Sequence, residues 1–568
     1  MNKLSRSALF LLVVLVFGLV GGVMAQDEGG KVLVTGRQMG PSDIPTLDPS
    51  LAEDVPSVQV IVELFPELLR LNEESVELAP GMADYEVSED GLVYTFTIMS
   101  EVPWVRYNAD SGEVEQVMDD EGNPRYVTAA DFAYGMQRSL DPTTAAPYQL
   151  VFAPWVAGGA EFAAAAEATD EERQALVEGL GINVVDEQTL EVTVPQASAV
   201  TPLIYSLWFS TAQPQWLIEE QGDFWINPET INSYGPFALK EWVRGDGGSL
   251  TLVKNPFWPG TDSIPQPTLD EVQFRFLDEE TQLTEFEAGS LHVAEAPVAA
   301  IDRILSDPNL SSGYTVSSGT CTYWYGFNVE LPPFDDARAR RAFSMAIDRE
   351  AITENVLGAG EIPAAFFALP SLVAAPTIEQ YPDLGIRSDA EAAQALWQEY
   401  LDETGQTADQ FQPTLFYNES SLHASIAQAV QQMWNETLGV NVQIAVADFA
   451  TYLETRGEYE VFRAGWCFDY PDAHNFYYDP PFHGDLVAEN DTHWQNDEFD
   501  ALIDEAFVLE DTEARRDLYA QADNILVNID AAMAPIYFYV TDDLTASNVT
   551  RTHSQITREY YEKWDLNE

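Results

Sequence analysis

Cysteine occurs at only two positions in the 568 residues, Cys321 and Cys467. The chain opens with a segment typical of a secretory signal, because residues 1–25 have a basic start, a long apolar run and a small-x-small end at Ala25. Two cysteines in an exported protein are usually joined, since the compartment is oxidising. We therefore expect a disulfide that closes a long loop, stabilises the fold by roughly 5 kcal/mol and holds two distant stretches together.

Cleavage after Ala25 would make Gln26 the first residue of the mature protein. Retention of the same apolar run as a membrane anchor is the alternative. Beyond this segment no stretch is long and apolar enough to cross a bilayer, and 46% of all residues are hydrophobic, which is typical of a globular chain. At this length we expect two or three domains and not a single core.

Acidic residues dominate the charge of the chain. It has 94 Asp and Glu against 26 Lys and Arg, which gives a formal net charge of −68 at pH 7. Such a surface repels nucleic acid and anionic membranes, so we predict neither as a partner. The acids are spread along the chain and form no tail, which favours a solvated surface that attracts cations without specifying one.

Motifs of enzymes and of metal sites are missing from the sequence. It has no His-Glu-x-x-His, Gly-x-Ser-x-Gly or Cys-x-x-Cys pattern and no phosphate-binding loop. One acidic stretch with histidines comes nearest to a metal cluster, but its spacing matches no zinc or calcium pattern. Its members are Asp472, His474, Asp479, His483, Asp485 and His493. We expect no catalysis, cofactor or metal; a secreted acidic hydrolase with a carboxylate pair is the alternative from another class.

Residues 461–472 form the most distinctive stretch, an apolar strand that ends in an aromatic and acidic turn. Gly465 allows another backbone to approach closely, and Trp466 offers a broad apolar face. Asp469 stands where the strand gives way to the turn, a position from which its carboxylate can meet a cation. On the residues alone, the pattern fits a binding edge and a plain core strand equally well.

Strand and helix patterns alternate along the rest of the chain. We expect an amphipathic helix over 58–69, an inserted α+β unit from 79 to 195, and a mixed sheet that includes strands of 196–320. One helix is predicted to begin after Asp336 and another to end at Gly439. Since there is no internal repeat and no low-complexity linker, the domains should be built from interleaved segments.

Two motifs that contain the cysteines carry a resemblance to a known family. The run Thr-Cys-Thr-Tyr-Trp-Tyr at 320–325 is followed by Pro-Phe-Asp-Asp-Ala-Arg at 333–338, and Arg-Ala-Gly-Trp-Cys-Phe-Asp-Tyr occupies 463–470. Over nearly the whole mature chain, the sequence resembles the oligopeptide-binding proteins of bacterial ABC importers, within solute-binding protein family 5. Further markers of that family occur in its order at 78–83, 91–96, 127–132, 234–242 and 255–258.

The resemblance implies an α/β (mixed α+β) fold, namely the two-lobed periplasmic-binding-protein fold with three domains and a hinge, of the cluster C or type II class. It implies an exported, non-enzymatic receptor that binds an oligopeptide between its lobes as an added strand and delivers it to a membrane permease. We expect a monomer. The implied boundaries are 26–78, 196–320 and 541–568 for domain I, 79–195 for the inserted domain II, and 321–540 for domain III.

Ligand-binding residues follow from the same resemblance, position by position. Asp469 matches the aspartate that receives the α-amino group of the peptide, a charged hydrogen bond worth roughly 1.5–3 kcal/mol. Gly465 and Cys467 match residues whose backbones pair with the peptide, and Trp466 matches a pocket wall. The other matches are Glu53, Tyr148 and Tyr539 as ligand contacts, Phe449 as a pocket residue, and Arg463, Arg456 and His423 as basic residues that receive the carboxyl ends of peptides of different lengths.

The sequence departs from the family at three pocket positions. Phe449 stands where the family has a tryptophan, Leu357 where it has a lysine, and Gly326 where it has an acidic side chain. Pocket shape and preferred peptide length are therefore not implied by the resemblance. The same family includes receptors for oligosaccharides, nickel and haem, which are the alternative ligands.

Overall fold

A computed structural model describes residues 30–567 except 38, 41, 246, 479–481 and 485–489. The predicted signal segment and its cleavage site lie outside these residues. From Lys31 onward the chain forms one unit. Within the described part, no helix combines the length and the apolar character needed to cross a membrane.

Short strands and helices alternate along the chain. This agrees with the sequence, in which the spacing of apolar residues changes between the patterns typical of strands and of helices. The strands, numbered in chain order, are β1 Val32–Thr35, β2 Leu69–Leu71, β3 Leu78–Pro80, β4 Ala83–Val87, β5 Val93–Ile98, β6 Val105–Asn108, β7 Glu113–Gln116, β8 Ile182–Val184, β9 Thr189–Thr193, β10 Phe237–Val243, β11 Ser249–Lys254, β12 Glu271–Arg275, β13 Val293–Glu295, β14 Tyr314–Phe327, β15 Ile362–Pro363, β16 Thr414–Asn418, β17 Gln443–Ala447, β18 Val461–Cys467, β19 Met533–Thr545, β20 Val549–Thr550 and β21 Asp565–Leu566.

Helices connect most of these strands, and single turns of other helix types lie between them. The α-helices are α1 Val55–Leu64, α2 Ala129–Leu140, α3 Gln149–Phe152, α4 Gly159–Ala163, α5 Asp170–Glu178, α6 Thr201–Ile204, α7 Gln215–Gln221, α8 Glu279–Glu287, α9 Ile301–Ser306, α10 Pro308–Ser311, α11 Ala337–Met345, α12 Arg349–Ile352, α13 Ala390–Thr404, α14 Ser421–Leu438, α15 Phe449–Thr455, α16 His474–Tyr477, α17 Asp497–Phe507 and α18 Thr512–Asn524.

A large mixed sheet carries most of these strands. In it β10, β11, β12, β1, β13, β19, β14, β18, β16 and β17 lie side by side in this order, and β15 joins β19. Strand β1 is parallel to both β12 and β13, and β16 is parallel to both β17 and β18, whereas the other pairs are antiparallel. The predicted mixed sheet is therefore confirmed.

Two long strands, β14 and β19, run through the middle of this sheet. The first half of β14 pairs with the end of β19, and its second half pairs with the start of β19 and with β18. The register shifts between Ser318 and Thr322. A Cβ atom on Gly319, inside this shift, would lie 2.4 Å from the carbonyl oxygen of Tyr539, so only glycine allows the two backbones to come so close. The predicted domain boundaries at 320/321 and 540/541 fall inside these strands, and the division into domains stays a prediction.

A separate four-stranded antiparallel sheet occupies the segment predicted as an insertion. Its strands lie in the order β4, β5, β9, β8, all within 79–195. Helix α2 belongs to the same segment and begins after Thr128, whose backbone N–H donates to the carboxylate of Asp131 at 2.8 Å. This is one half of a capping box, which satisfies a free amide at the helix start.

The sequence correctly predicted the start of one helix and the end of another, but it misplaced the end of a third. Asp336 accepts a hydrogen bond from the N–H of Arg338 at the start of α11, and α14 ends at Gly439, which has a φ of 70°. The helix predicted over 58–69 was wrong at its end, since α1 stops at Leu64 and β2 begins at Leu69. Pro66 explains the early stop, because proline and the residue before it disfavour a continuing helix.

Alternation along β14 divides its side chains between two apolar cores. Tyr323 and Tyr325 are buried in one core with α14, and Trp324 is buried in the other. Strand β18 lies beside this part of β14. Strand β18, the first part of the distinctive stretch 461–472, is therefore paired with β14, and β14 has an apolar core on each of its two faces.

Candidate ligand-binding site

A disulfide fixes the end of β18 to β14. Cys321 lies directly opposite Cys467 in the antiparallel pair, and the two sulfur atoms are bonded. The bond joins residues 146 positions apart. The disulfide predicted from the cysteine count is confirmed.

The other edge of β18 is mostly open. Strand β16 pairs only with Val461 and Phe462, at the start of β18. Among the described strands, none pairs with residues 463–467 on that side. Since Gly465 and Cys467 are exposed there, the backbone can accept a further strand. This arrangement favours the binding edge over the plain core strand.

Asp469 follows this open edge and is held by uncharged partners. Its backbone N–H donates to Asn475 Oδ1 at 2.9 Å, and Asn475 Nδ2 donates to Asp469 Oδ2 at 3.4 Å. The hydroxyl of Tyr148 donates to Asp469 Oδ1 at 3.0 Å. No Lys, Arg or His in the described chain forms an ion pair with this carboxylate.

Burial raises the pKa of Asp469 to about 6, although the hydrogen bonds from Tyr148 and Asn475 and the charge of Arg558 act in the opposite direction. A carboxylate in this situation is stabilised by any cation that reaches it. The position and the electrostatics of Asp469 therefore suit a ligand with a positively charged end.

Trp466 is anchored on the same turn. Its indole Nε1 donates to the backbone oxygen of Asn475 at 3.1 Å, and the ring is partly buried. Asn475 thus holds both Trp466 and Asp469. No sequence pattern singled out Asn475, which lies in α16; its position six residues after Asp469, in a polar stretch that also holds Asp472, is the signal that would have indicated it.

Tyr148 reaches the site from another segment of the chain, and its aromatic neighbours extend towards Glu53. Tyr148 packs against Trp208 and Phe209, with ring centroids 4.8 and 5.7 Å away. Trp208 in turn donates from its indole nitrogen to the backbone oxygen of Ala52 at 3.0 Å, next to the exposed Glu53. Trp208 therefore contacts both Tyr148 and the residue before Glu53. No sequence pattern indicated this role.

Arg463 lies further along the open edge among aromatic side chains. Its Nη2 donates to the hydroxyl of Tyr539 at 2.9 Å, and its guanidinium lies 5.0 Å from the ring centroid of Tyr323. The ring of His423 also faces Tyr323, and this histidine is only 8% exposed. Burial and the nearby charge of Arg463 lower the pKa of His423 to about 3, so the histidine is neutral at physiological pH.

Arg456 and Phe449 lie at the two ends of α15. Arg456 donates from Nε to Asp491 at 2.5 Å, so an acid of the protein already pairs with its charge. Phe449 is 58% exposed and stacks on Tyr452, which also lies near the guanidinium of Arg456. Tyr452 therefore links these two residues into one cluster at the start and end of α15.

Two described members of the acidic stretch with histidines have separate partners. Asp472 pairs with Arg515, and the buried His474 faces the hydroxyl of Tyr470 through Nδ1. Asp479 and Asp485 lie outside the described residues. Among those that the structure describes, no group of three or more His, Cys, Asp or Glu could hold a metal ion.

Comparison with known proteins supports one family. Residues 77–484 match the family model of the bacterial extracellular solute-binding proteins, family 5 middle region. The periplasmic oligopeptide-binding protein OppA of Escherichia coli is 28% identical over 555 residues, which cover 95% of this chain and 94% of that protein. The periplasmic murein peptide-binding protein MppA of Escherichia coli is 31% identical over 519 residues, with coverages of 88% and 86%.

The fold also has solved relatives. The structure of the Escherichia coli murein tripeptide binding protein MppA superimposes with a TM-score of 0.76 at 26% identity, and the match covers 95% of this chain and 99% of that one. The predicted fold class, that of the periplasmic binding proteins, is thereby confirmed.

Proposed function

Because the chain belongs to family 5 of the bacterial extracellular solute-binding proteins, we propose that it is the peptide receptor of an ABC importer. The resemblance found in the sequence is confirmed by the family match, and members of this family are binding receptors and not enzymes. The observation that carries the proposal is the open edge of residues 463–467, which leads directly to Asp469.

The peptide would add as a strand along this edge. Its main chain would hydrogen-bond to the free backbone groups around Gly465 and Cys467, which gives affinity without reading side chains. Its α-ammonium group would replace or join the Tyr148 hydroxyl at Asp469, where a charged hydrogen bond contributes roughly 1.5–3 kcal/mol. Trp466 would form the wall of a side-chain pocket beside the edge.

The carboxyl end of a short peptide would lie at Arg463. Among the described residues this guanidinium bonds a tyrosine hydroxyl and pairs with no acid, and its neighbour His423 is neutral. An incoming carboxylate would therefore meet a cation that no described acid neutralises. Arg456 would serve longer peptides, at the cost of its pair with Asp491. Phe449, next to it on α15, would line the pocket at that end.

Closure on the ligand would involve three segments of the chain. Tyr148 comes from 79–195 and Asp469 from 321–540, the segments predicted as domains II and III, and Glu53 comes from the first segment of domain I. A ligand that contacts all three would stabilise the closed arrangement. The closed receptor would then deliver the peptide to a membrane permease as an exported monomer, after removal of residues 1–25.

A ligand panel followed by native mass spectrometry tests the proposal. We expect the purified protein to retain tri- to pentapeptides, and to gain the mass of an added tripeptide, while oligosaccharides, nickel and haem add none. The added peptides should be recovered uncut after incubation. Binding of one of the other ligands without any peptide binding, or the appearance of cleavage products, would overturn the proposal.

A further inference from the structure

The short helix α16, His474–Tyr477, is fully buried beside the proposed amino-end site. Its second residue, Asn475, accepts hydrogen bonds from the backbone N–H of Asp469 at 2.9 Å and from the indole of Trp466 at 3.1 Å. A helix of one turn is not stable by itself, because most of its backbone groups belong to a helix end. The position of Asn475 therefore depends on the contacts that hold α16 in place.

Helix α18 contacts both ends of α16. At the start, Asp472 Oδ1 accepts a hydrogen bond from the N–H of His474 at 2.9 Å, and Arg515 on α18 forms an ion pair with the same carboxylate. At the end, the hydroxyl of Tyr477 donates to Oδ2 of Asp523, also on α18, at 2.5 Å. These contacts fix the single turn of α16 to a helix of 13 residues.

Asp523 also holds the strand beside the binding edge. Its two carboxylate oxygens accept the backbone N–H of Phe367 at 2.8 and 3.2 Å. The carbonyl oxygen of Phe367 accepts a hydrogen bond from the hydroxyl of Thr322 at 2.8 Å, and Thr322 on β14 lies directly opposite Trp466 on β18. The same carboxylate is thus connected to Trp466 through β14 and to Asp469 through α16.

The carboxyl group of Asp523 is buried without a cation. The residue is 0% exposed, and no Lys, Arg or His of the described chain forms an ion pair with it. Burial raises its pKa to about 7, although the hydrogen bonds from Tyr477 and from the backbone act in the opposite direction. A buried acid without a counter-ion adds little stability, so the geometry that its hydrogen bonds fix explains it better.

We propose that Asp523 is a positioning residue of the amino-end site, which keeps Asp469 in line with the binding edge of β18 by holding α16 and β14 together. This role rests on the proposed function, because Asp469 must receive the α-ammonium group of a peptide. Loss of the hydrogen bond between Tyr477 and Asp523 should weaken the contact at the amino end of the ligand. The contact of its carboxyl end with Arg463 should not change.

Titration calorimetry at neutral pH with Ala-Ala-Ala, its N-acetylated form and its carboxyl-terminal amide tests this role. In the wild type each modification should weaken binding by about tenfold or more. In Tyr477→Phe, which removes only the hydroxyl bound to Asp523, the effect of acetylation should fall to about threefold, whereas the effect of amidation stays the same. Asp523→Asn keeps one of the two acceptor oxygens and should also reduce the effect of acetylation alone.

Tyr381→Phe is the matched control. The hydroxyl of Tyr381 donates to Asp517 at 2.5 Å, so the variant removes a hydrogen bond of the same kind to the same helix α18, but at an exposed position. Both modifications of the peptide should affect this variant as they affect the wild type. A thermal unfolding curve for each protein shows that the compared variants are folded.

Each outcome decides between the claims. A full effect of acetylation in Tyr477→Phe and Asp523→Asn would overturn the role of Asp523 and leave peptide binding intact. Equal reductions in the effects of acetylation and amidation would also overturn it, because they indicate a general loss of structure. If Asp523→Asn does not fold, Tyr477→Phe decides alone. Wild-type protein that binds none of the three peptides, or binds the acetylated and free peptides equally, would overturn the proposed amino-end site itself.

Discussion

The phenol of Tyr148 donates a hydrogen bond of 3.0 Å to Asp469, although 321 residues separate the two in the sequence. Tyr148 is oriented by its packing against Trp208 and Phe209, and Asp469 is oriented by Asn475. Two distant segments thus position a half-buried carboxylate at the end of an open strand edge. This carboxylate is the centre of the proposed peptide site.

Replacing Asp469 should weaken peptide binding without unfolding the protein. Asp469→Ala removes the carboxylate proposed to receive the ammonium group, so we expect the affinity for a tripeptide to fall by roughly 10- to 150-fold, the equivalent of about 1.5–3 kcal/mol. Calorimetry gives the affinity, and circular dichroism gives the melting temperature. The control is Asp335→Asn, an exposed acid outside the site. Unchanged affinity in Asp469→Ala would refute the assignment of this residue.

Peptide affinity should depend on pH through Asp469. Its pKa of about 6 in the protein means that the carboxyl is protonated below that pH, and a ligand ammonium must then displace the proton. We expect affinity to fall by up to about tenfold per pH unit below 6, and to fall again above about 8 as the α-amino group of the peptide loses its proton.

A variant without the titrating carboxyl tests whether the acid-side decline belongs to Asp469. In Asp469→Asn the decline on the acid side should disappear. An acid limb of the same size in the wild type and in this variant would assign the titration to another group.

Arg463 should recognise the carboxyl end of short peptides. We expect a tripeptide amidated at its carboxyl end to bind the wild type about tenfold or more weakly than the free acid, because the charged pair with the guanidinium is lost. In Arg463→Gln the two peptides should bind alike. Calorimetry on both proteins forms a double-mutant cycle. A full amide effect in Arg463→Gln would show that a different residue, such as Arg456, receives the carboxylate.

The disulfide should contribute measurably to stability. It closes a loop of 146 residues, and the chain-entropy model then predicts a loss of up to about 5 kcal/mol of unfolding free energy in a Cys321→Ser, Cys467→Ser double variant. Thermal and guanidinium unfolding of this variant and of the wild type treated with a thiol reductant should agree. Equal transition midpoints for oxidised and reduced wild type would contradict this contribution.

Local features of the fold could be predicted from the sequence because their causes are local. The cap at Asp336, the helix end at Gly439 and the strand around Gly465 depend on residues close to them in the chain. The end of α1 was misplaced because Pro66 was given less weight than the apolar run that surrounds it.

Some residues of the candidate site could likewise be identified from the sequence, and others could not. Asp469 and Arg463 were found through motifs that resemble a family, and the disulfide through the cysteine count and the export signal. Asn475 and Trp208 were missed, because their roles arise from contacts made only in the folded chain. The residues of β18 alone did not distinguish an open edge from a core strand, since the difference depends on where the pairing with β16 stops. The family resemblance supplied the open edge as an expectation.

The most direct test of the central claim compares a tripeptide with its N-acetylated form on the wild type and on Asp469→Asn. Acetylation removes the positive charge and leaves the rest of the peptide unchanged. We predict that acetylation weakens binding to the wild type by at least about tenfold and has little effect on Asp469→Asn, as measured by titration calorimetry. Equal binding of both peptides to the wild type would show that Asp469 does not receive the amino end of the ligand.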